Sequence, residues 1–166
     1  RREFLDISWL GWCHVAERPP QLSYDVGRHM LGAVTVRMLE DLAQRSHAFY
    51  SQGGLLYTFT EAANQAHCRF PKQLAERDAG HLTEDDRAQL ARVICKSVAN
   101  VSCVEASVES LAIADDLIQR LRDDLEFTSV GALVDGDDDY CWGATIHMAR
   151  DADNRYFSLS LWGSID

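Results

Sequence analysis

From Asp86 onward the apolar positions of this chain step by three and four. Leu90, Ile94, Val98, Val101, Val104, Val108 and Leu111 follow at intervals of 4, 4, 3, 3, 4 and 3. That is the stripe of an amphipathic helix and not the period of two that a half-buried strand shows. Thr83 with Asp86 caps its start, and the stripe continues through Ala114, Ile118, Leu121 and Leu125. An unbroken helix of about 40 residues is unusual in a globular domain, so the pattern predicts a break near Asn100 to Ser102 or near Asp115. Upstream, Val26, Met30, Leu31, Val34, Met38, Leu42 and Phe49 carry the same spacing. They predict a helix capped by Ser23 or Asp25 that runs to about Tyr50 and is broken by Gln52-Gly53-Gly54. Thr58 and Glu61 have capping-box spacing, and Ala62, Ala63, Ala66 and Phe70 suit a further helix ending before Pro71. Lys72 to His81 reads as a short helix and a turn. The segment Phe4 to Val15 fits strand and helix periods equally and is left open.

At Glu126 the pattern changes. Phe127 to Val134, Tyr140 to Met148 and Tyr156 to Trp162 are rich in aromatic and β-branched residues. Tyr140, Trp142, Ala144, Ile146 and Met148 alternate on one face, as do Phe157, Leu159 and Leu161, with Ser158 and Ser160 opposite. Asp135 to Asp139 and Asp151 to Asn154 are turn chemistry. The prediction is a three-stranded antiparallel meander with Tyr140 to Met148 in the centre and its two turns at opposite ends. The expected fold is α+β: one domain over residues 1–166, an N-terminal helical bundle of three to five helices over about 23–126, and a C-terminal meander over about 127–163. The N-terminal segment is a candidate fourth strand.

At 166 residues the length favours one domain with a sizeable core. No apolar run approaches the roughly 20 residues of a membrane span. The chain opens without Met, at Arg1-Arg2-Glu3, and is read as trimmed or cut from a longer one, so the absence of a signal peptide weighs little. Five cysteines at irregular spacing, with no C-x-x-C, suggest free, mostly buried thiols and a cytoplasmic protein.

The charge is uneven. Residues 115–166 hold 12 acidic and four basic side chains, or −8 of the total −10, while the first 114 are nearly balanced. Such a field repels nucleic acid and anionic membrane and attracts a basic partner. Lysine is limited to Lys72 and Lys96, which further disfavours nucleic acid.

Motifs of specific chemistry are missing. Asp135, Asp137 and Asp139 have the opening spacing of a calcium loop, yet Tyr140 stands where the loop glycine belongs and Ile146 where the closing acid belongs. His67-Cys68, Cys13-His14 and Cys141 with His147 lack zinc-ligand spacing. No cofactor or metal is expected, and no catalytic motif is found. Three functions remain. The favoured one is an acidic interaction module (inhibitor, immunity-type or chaperone-like) that engages a basic protein through Asp135, Asp137, Asp138 and Asp139 on a solvent-projecting tip. The second is a sensory or small-ligand domain with a pocket between helices and sheet, lined by Trp142, Met148, Phe157 and Trp162. The third is a small enzyme whose groups meet only in three dimensions.

Overall fold

The computed structural model describes residues 30–50, 52–62, 80–99 and 101–166. Within them the order is α1 (Ala33–Phe49), β1 (Gly54–Ala62), α2 (Glu84–Val98), α3 (Val108–Leu125), β2 (Ser129–Asp137), β3 (Cys141–Arg150) and β4 (Arg155–Ser164). The class is α+β, with a four-stranded antiparallel sheet in the order β1-β4-β3-β2. β3 lies between β2 and β4 with Ile146 opposite both Ala132 and Leu159, so the meander and its central strand are as expected. The acidic turn and the 3-10 turn Asp151–Asp153 close its opposite ends.

Two expectations are corrected. The sheet has four strands, and the fourth is Gly54–Ala62, paired with β4 along its whole length. Thr58 and Glu61 mimic a capping box, and their spacing predicts the start of a helix in this segment. Its alternation of Leu55, Tyr57 and Phe59 with Leu56, Thr58 and Thr60 decides the outcome: β-branched and aromatic side chains suit a pleated surface, and β4 offers a free edge. The helices are therefore not gathered N-terminal to all the strands. The helix that ends near Tyr50 starts at Ala33, and the expected caps Ser23 and Asp25 lie outside the described residues. Gly32 is extended at its N-cap and has no side chain to offer. The cap comes from α3, where the Asp124 carboxylate accepts from Gly32 N at 2.9 Å and from Thr35 Oγ1 at 2.5 Å. The expectations for Phe4 to Val15 and for residues 63–79 lie outside the described residues.

The long C-terminal stripe is two helices, broken at residues 99–107 as its length required. Thr83 caps α2 by accepting from Asp86 N at 3.1 Å, and Ser107 caps α3 by accepting from Ser110 N at 3.1 Å. Each first-turn donor would otherwise lack a partner. Val104 and Val108, which continued the apolar spacing across the break, are 80% and 86% exposed.

The helices cover one face of the sheet. Leu90 and Ile94 of α2 and Leu117, Leu121 and Leu125 of α3 share one core with Trp142, Ile146, Met148, Phe157, Leu159 and Leu161 of the strands. The two tryptophans of the meander cover cross-strand glycines. Trp142 is opposite Gly163 on the helix side, and Trp162 is opposite Gly143 on the other face. A Cβ on Gly163 would intrude on the Trp142 indole, and one on Gly143 would lie 2.6 Å from Trp162 Cε3.

Gly163→Ala is therefore expected to destabilise the protein by about 1–3 kcal/mol, the usual cost of overpacking a filled site. Gly80→Ala, whose added methyl would meet nothing nearer than Thr128 O at 3.4 Å, should stay within about 0.5 kcal/mol. Urea unfolding of the two variants makes the comparison; equal midpoints would show that the indole can shift freely.

Candidate functional site

The acidic tip grows out of a bulge. The β2–β3 register shifts between Val134 and Gly136, so one extra residue enters β2 and sends Asp135 and Asp137 to opposite faces. Asp137, opposite Trp142 on the helix side, forms ion pairs with Arg92 and Lys96 of α2. The Lys96 side chain is only 5% exposed, so Asp137 is the counter-ion of a buried ammonium. Asp135 points the other way and accepts from Thr145 Oγ1 at 2.5 Å. Asp138 folds the tip on itself: its Oδ1 accepts from Tyr140 N at 2.8 Å and from Cys141 N at 2.7 Å. Ile165 N donates to Tyr140 O at 3.1 Å and ties the tip to the end of β4. Asp139 and Tyr140 are left facing solvent, Tyr140 with 65% exposure. Of the four sequence-predicted carboxylates, one neutralises two cations, one bonds a hydroxyl, one holds the turn and one faces solvent. Among the described residues no group of three or more His, Cys, Asp or Glu is arranged to hold a metal ion.

On the face away from the helices the strands align a polar row that sequence reasoning did not single out. Thr145 donates to Asp135, and its oxygen lies 2.9 Å from Ser160 Oγ. Beside it, Ser158 Oγ lies 3.3 Å from His147 Nδ1. Thr145, His147 and Ser158 are all buried. Burial pushes the Asp135 carboxyl above its ordinary range, against the lowering effect of the Thr145 hydroxyl, and pushes the His147 imidazole down to about 4. The row is thus a chain of hydroxyls ending on a carboxyl, with a neutral imidazole alongside. Its sequence signal was the period-two set Thr145, His147, Ser158 and Ser160, opposite the apolar face.

The four candidate pocket residues divide between the two faces. Trp142, Met148 and Phe157 lie on the helix side, each with 0% exposure and packed into the core, while Trp162 lies on the other face against Gly143.

A second feature gathers at the end of the molecule that carries the tip. The Tyr50 hydroxyl, just past α1, donates to Lys96 O near the end of α2. Arg45 of α1 pairs with Glu109 in the first turn of α3 at 3.0 Å, and Arg92 donates to Cys103 O in the α2–α3 connection at 3.2 Å. These contacts bring the end of α1, the end of α2 and the start of α3 to the β2–β3 turn. Four of the five exposed large hydrophobics among the described residues belong there: Phe49, Val104, Val108 and Tyr140. Asp138, Asp139, Glu105 and Glu109 are exposed on the same elements.

Cys95 and Cys103 are free and buried. Cys141 is disulfide-bonded. That corrects the expectation of free thiols throughout. No described helix is long and apolar enough to cross a membrane. Compared with known proteins, the chain matches no family model, no curated protein and no solved structure.

Asp137→Asn should cost about 2–3 kcal/mol, because it strands a buried ammonium though the carboxylate itself keeps some contact with water; Asp139→Asn should change stability by less than about 0.5 kcal/mol. Chemical denaturation distinguishes them, and equal small effects would mean that Lys96 finds another partner.

His147 gives a pH dependence of defined sign. The unfolded imidazole takes up a proton near pH 6.5, while the folded one resists until about pH 4. The unfolded state therefore binds more protons between those values, and stability falls as pH drops from about 6.5 to about 4. This group's share is on the order of 2–3 kcal/mol. In His147→Gln the loss between pH 7 and pH 4 should shrink by about that amount; an unchanged slope in urea titrations would assign the acid sensitivity elsewhere.

Proposed function

We propose that this protein is an interaction module that docks a basic protein partner at the end formed by the β2–β3 turn, the ends of α1 and α2, and the start of α3. The inhibitor, immunity-type and chaperone-like classes all work in this manner. The observation that carries the proposal is the coincidence of exposed apolar side chains with exposed acid on a rigidly held tip. Tyr140 protrudes beside Asp139, while Asp138, Lys96, Arg92 and Ile165 fix the backbone beneath them. A pre-ordered aromatic anchor costs little entropy on binding, and tyrosine is enriched among residues that dominate interface energy. The surrounding carboxylates would steer a basic partner and give way to salt.

A second proposal, a small-ligand site, draws its support from the hydroxyl–carboxyl row, which runs from the buried Thr145 to the exposed Asp135, and from the neutral His147 on the other face. That arrangement suits a polar, uncharged ligand. It does not draw on the exposed apolar residues, so it ranks second.

The docking proposal is tested in two stages. Proteins captured from extract at low ionic strength and released at about 1 M salt, where the Debye length is about 3 Å, are purified individually. Stopped-flow association and dissociation are then measured against each with the wild-type protein, Asp139→Asn and Tyr140→Ala. A specific partner should lose roughly tenfold or more in affinity with Tyr140→Ala, mostly through faster dissociation. With Asp139→Asn it should associate more slowly only at low salt. Unchanged kinetics with both variants would rule the tip out as the docking surface.

A further inference from the structure

The disulfide at Cys141 lies on a sheet face that the described helices leave uncovered. Cys141, Thr145 and His147 share the period-two face of β3 turned away from the core, and Ser158 stands opposite His147 on β4. An antiparallel sheet packed on one side keeps its second face in water. Here that face is dry: Cys141 is 5% exposed, Thr145 and His147 8% and Ser158 7%. Such burial requires a further layer.

Of the five cysteines, Cys95 and Cys103 are free, which leaves Cys13 and Cys68 as possible partners of Cys141. The sheet register separates them. Ala62, the last residue of β1, pairs with Tyr156, and Tyr156 with Ala149. Cys141 is at the other end of β3, opposite Ser164. Eight residues of β3 and two strand spacings put Ala62 and Cys141 about 27 Å apart. The six residues from Ala62 to Cys68 span about 22 Å at full stretch, and a disulfide joins Cα atoms no more than about 7 Å apart. Cys68 would reach Cys141 only along a straight line, and that line runs through β4, which lies between β1 and β3. A path over either face is longer than the segment allows. Cys13 has no such limit. Met30 also lies at the far end of the sheet, with its sulfur 3.6 Å from Arg155, but the 17 residues back to Cys13 extend to about 60 Å.

We propose that Cys141 is bridged to Cys13, and that this bond anchors the N-terminal segment on the outer face of the sheet, beside the acidic tip. The apolar stretch Phe4 to Val15, with Trp9 and Trp12, supplies the cover that the face requires. Forming the bond takes two electrons and two protons from the Cys13 and Cys141 thiols to a disulfide oxidant, R–S–S–R, which leaves as two RSH. Because Tyr140 immediately precedes Cys141, the staple fastens the strand directly below the exposed tyrosine.

Peptide mapping of the wild-type protein tests this. The protein is unfolded in denaturant with an alkylating reagent and no reductant, then digested with trypsin. Cys13 falls in the peptide Glu3–Arg28, which is uncut at Arg18 because Pro19 follows; Cys68 falls in Ser46–Arg69, and Cys141 in Asp123–Arg150. Mass spectrometry should find Glu3–Arg28 joined to Asp123–Arg150, and Ser46–Arg69 alone and alkylated. Reduction should release the two joined peptides. Ser46–Arg69 joined to Asp123–Arg150, or Cys141 recovered alkylated, would overturn the proposal. The readout is covalent and needs no partner, so it stands or falls separately from the docking experiment.

Discussion

The Trp142 indole covers Gly163 on the neighbouring strand and reaches three other parts of the fold. Its Nε1 donates to Ser97 Oγ on α2 at 2.8 Å, and Ser97 in turn donates to Val93 O at 2.7 Å. Its ring meets that of Tyr50 at the end of α1, with centroids 5.3 Å apart. Tyr50 then bonds the carbonyl of Lys96, the residue before Ser97, and the Lys96 ammonium holds Asp137. Asp137 is the register partner of Trp142, so the contacts close into a ring. A buried indole N–H without an acceptor would be costly, as would a buried ammonium without a carboxylate. The two bonds that meet these demands involve consecutive residues of one helix, Lys96 and Ser97, which fixes how α2 lies on the sheet and where the acidic turn stands.

The same ring changes the meaning of the chain's acidity. Much of the C-terminal acid is engaged in ion pairs with this chain's own arginines at the surface. Asp115 chelates Arg87 with bonds of 2.6 and 2.7 Å, and the Arg87 side chain holds its carboxyl below the usual range. Arg150 does the same for Asp153 while also donating to Leu125 O at the end of α3 at 2.9 Å. Asp116 pairs with Arg120. A count of charges along the sequence therefore overstates the acid offered to a partner, and what distinguishes the tip is the company of Asp139 and Tyr140, not the number of carboxylates around them.

Legibility followed locality. α2, α3 and the meander were readable because each is decided within a short window: Thr83 caps three residues on, and the strands alternate within themselves. β1 was misread because its identity depends on the edge of a strand some 100 residues later, while its local residues carried a plausible helix-start pattern. The tip was located correctly as a turn, but the bulge that turns Asp137 toward α2 leaves no sequence mark beyond Gly136. The Lys96–Asp137 pairing has no period or spacing that announces it. Val104 and Val108 carry the opposite lesson, since their helical spacing continued by coincidence across a connection that leaves them in water.

The acceptor that caps α1 belongs to a residue near the far end of α3, 92 positions along the chain from Gly32. A helix that borrows its N-terminal partner from so far away cannot complete its first turn as the chain leaves the ribosome. Closing so long a loop carries an entropic cost that only the assembled core offsets. Residues 33–49 thus acquire their finished end only once Asp124 has been made. The acid at position 124 times the last step in the helix's formation as well as holding its place.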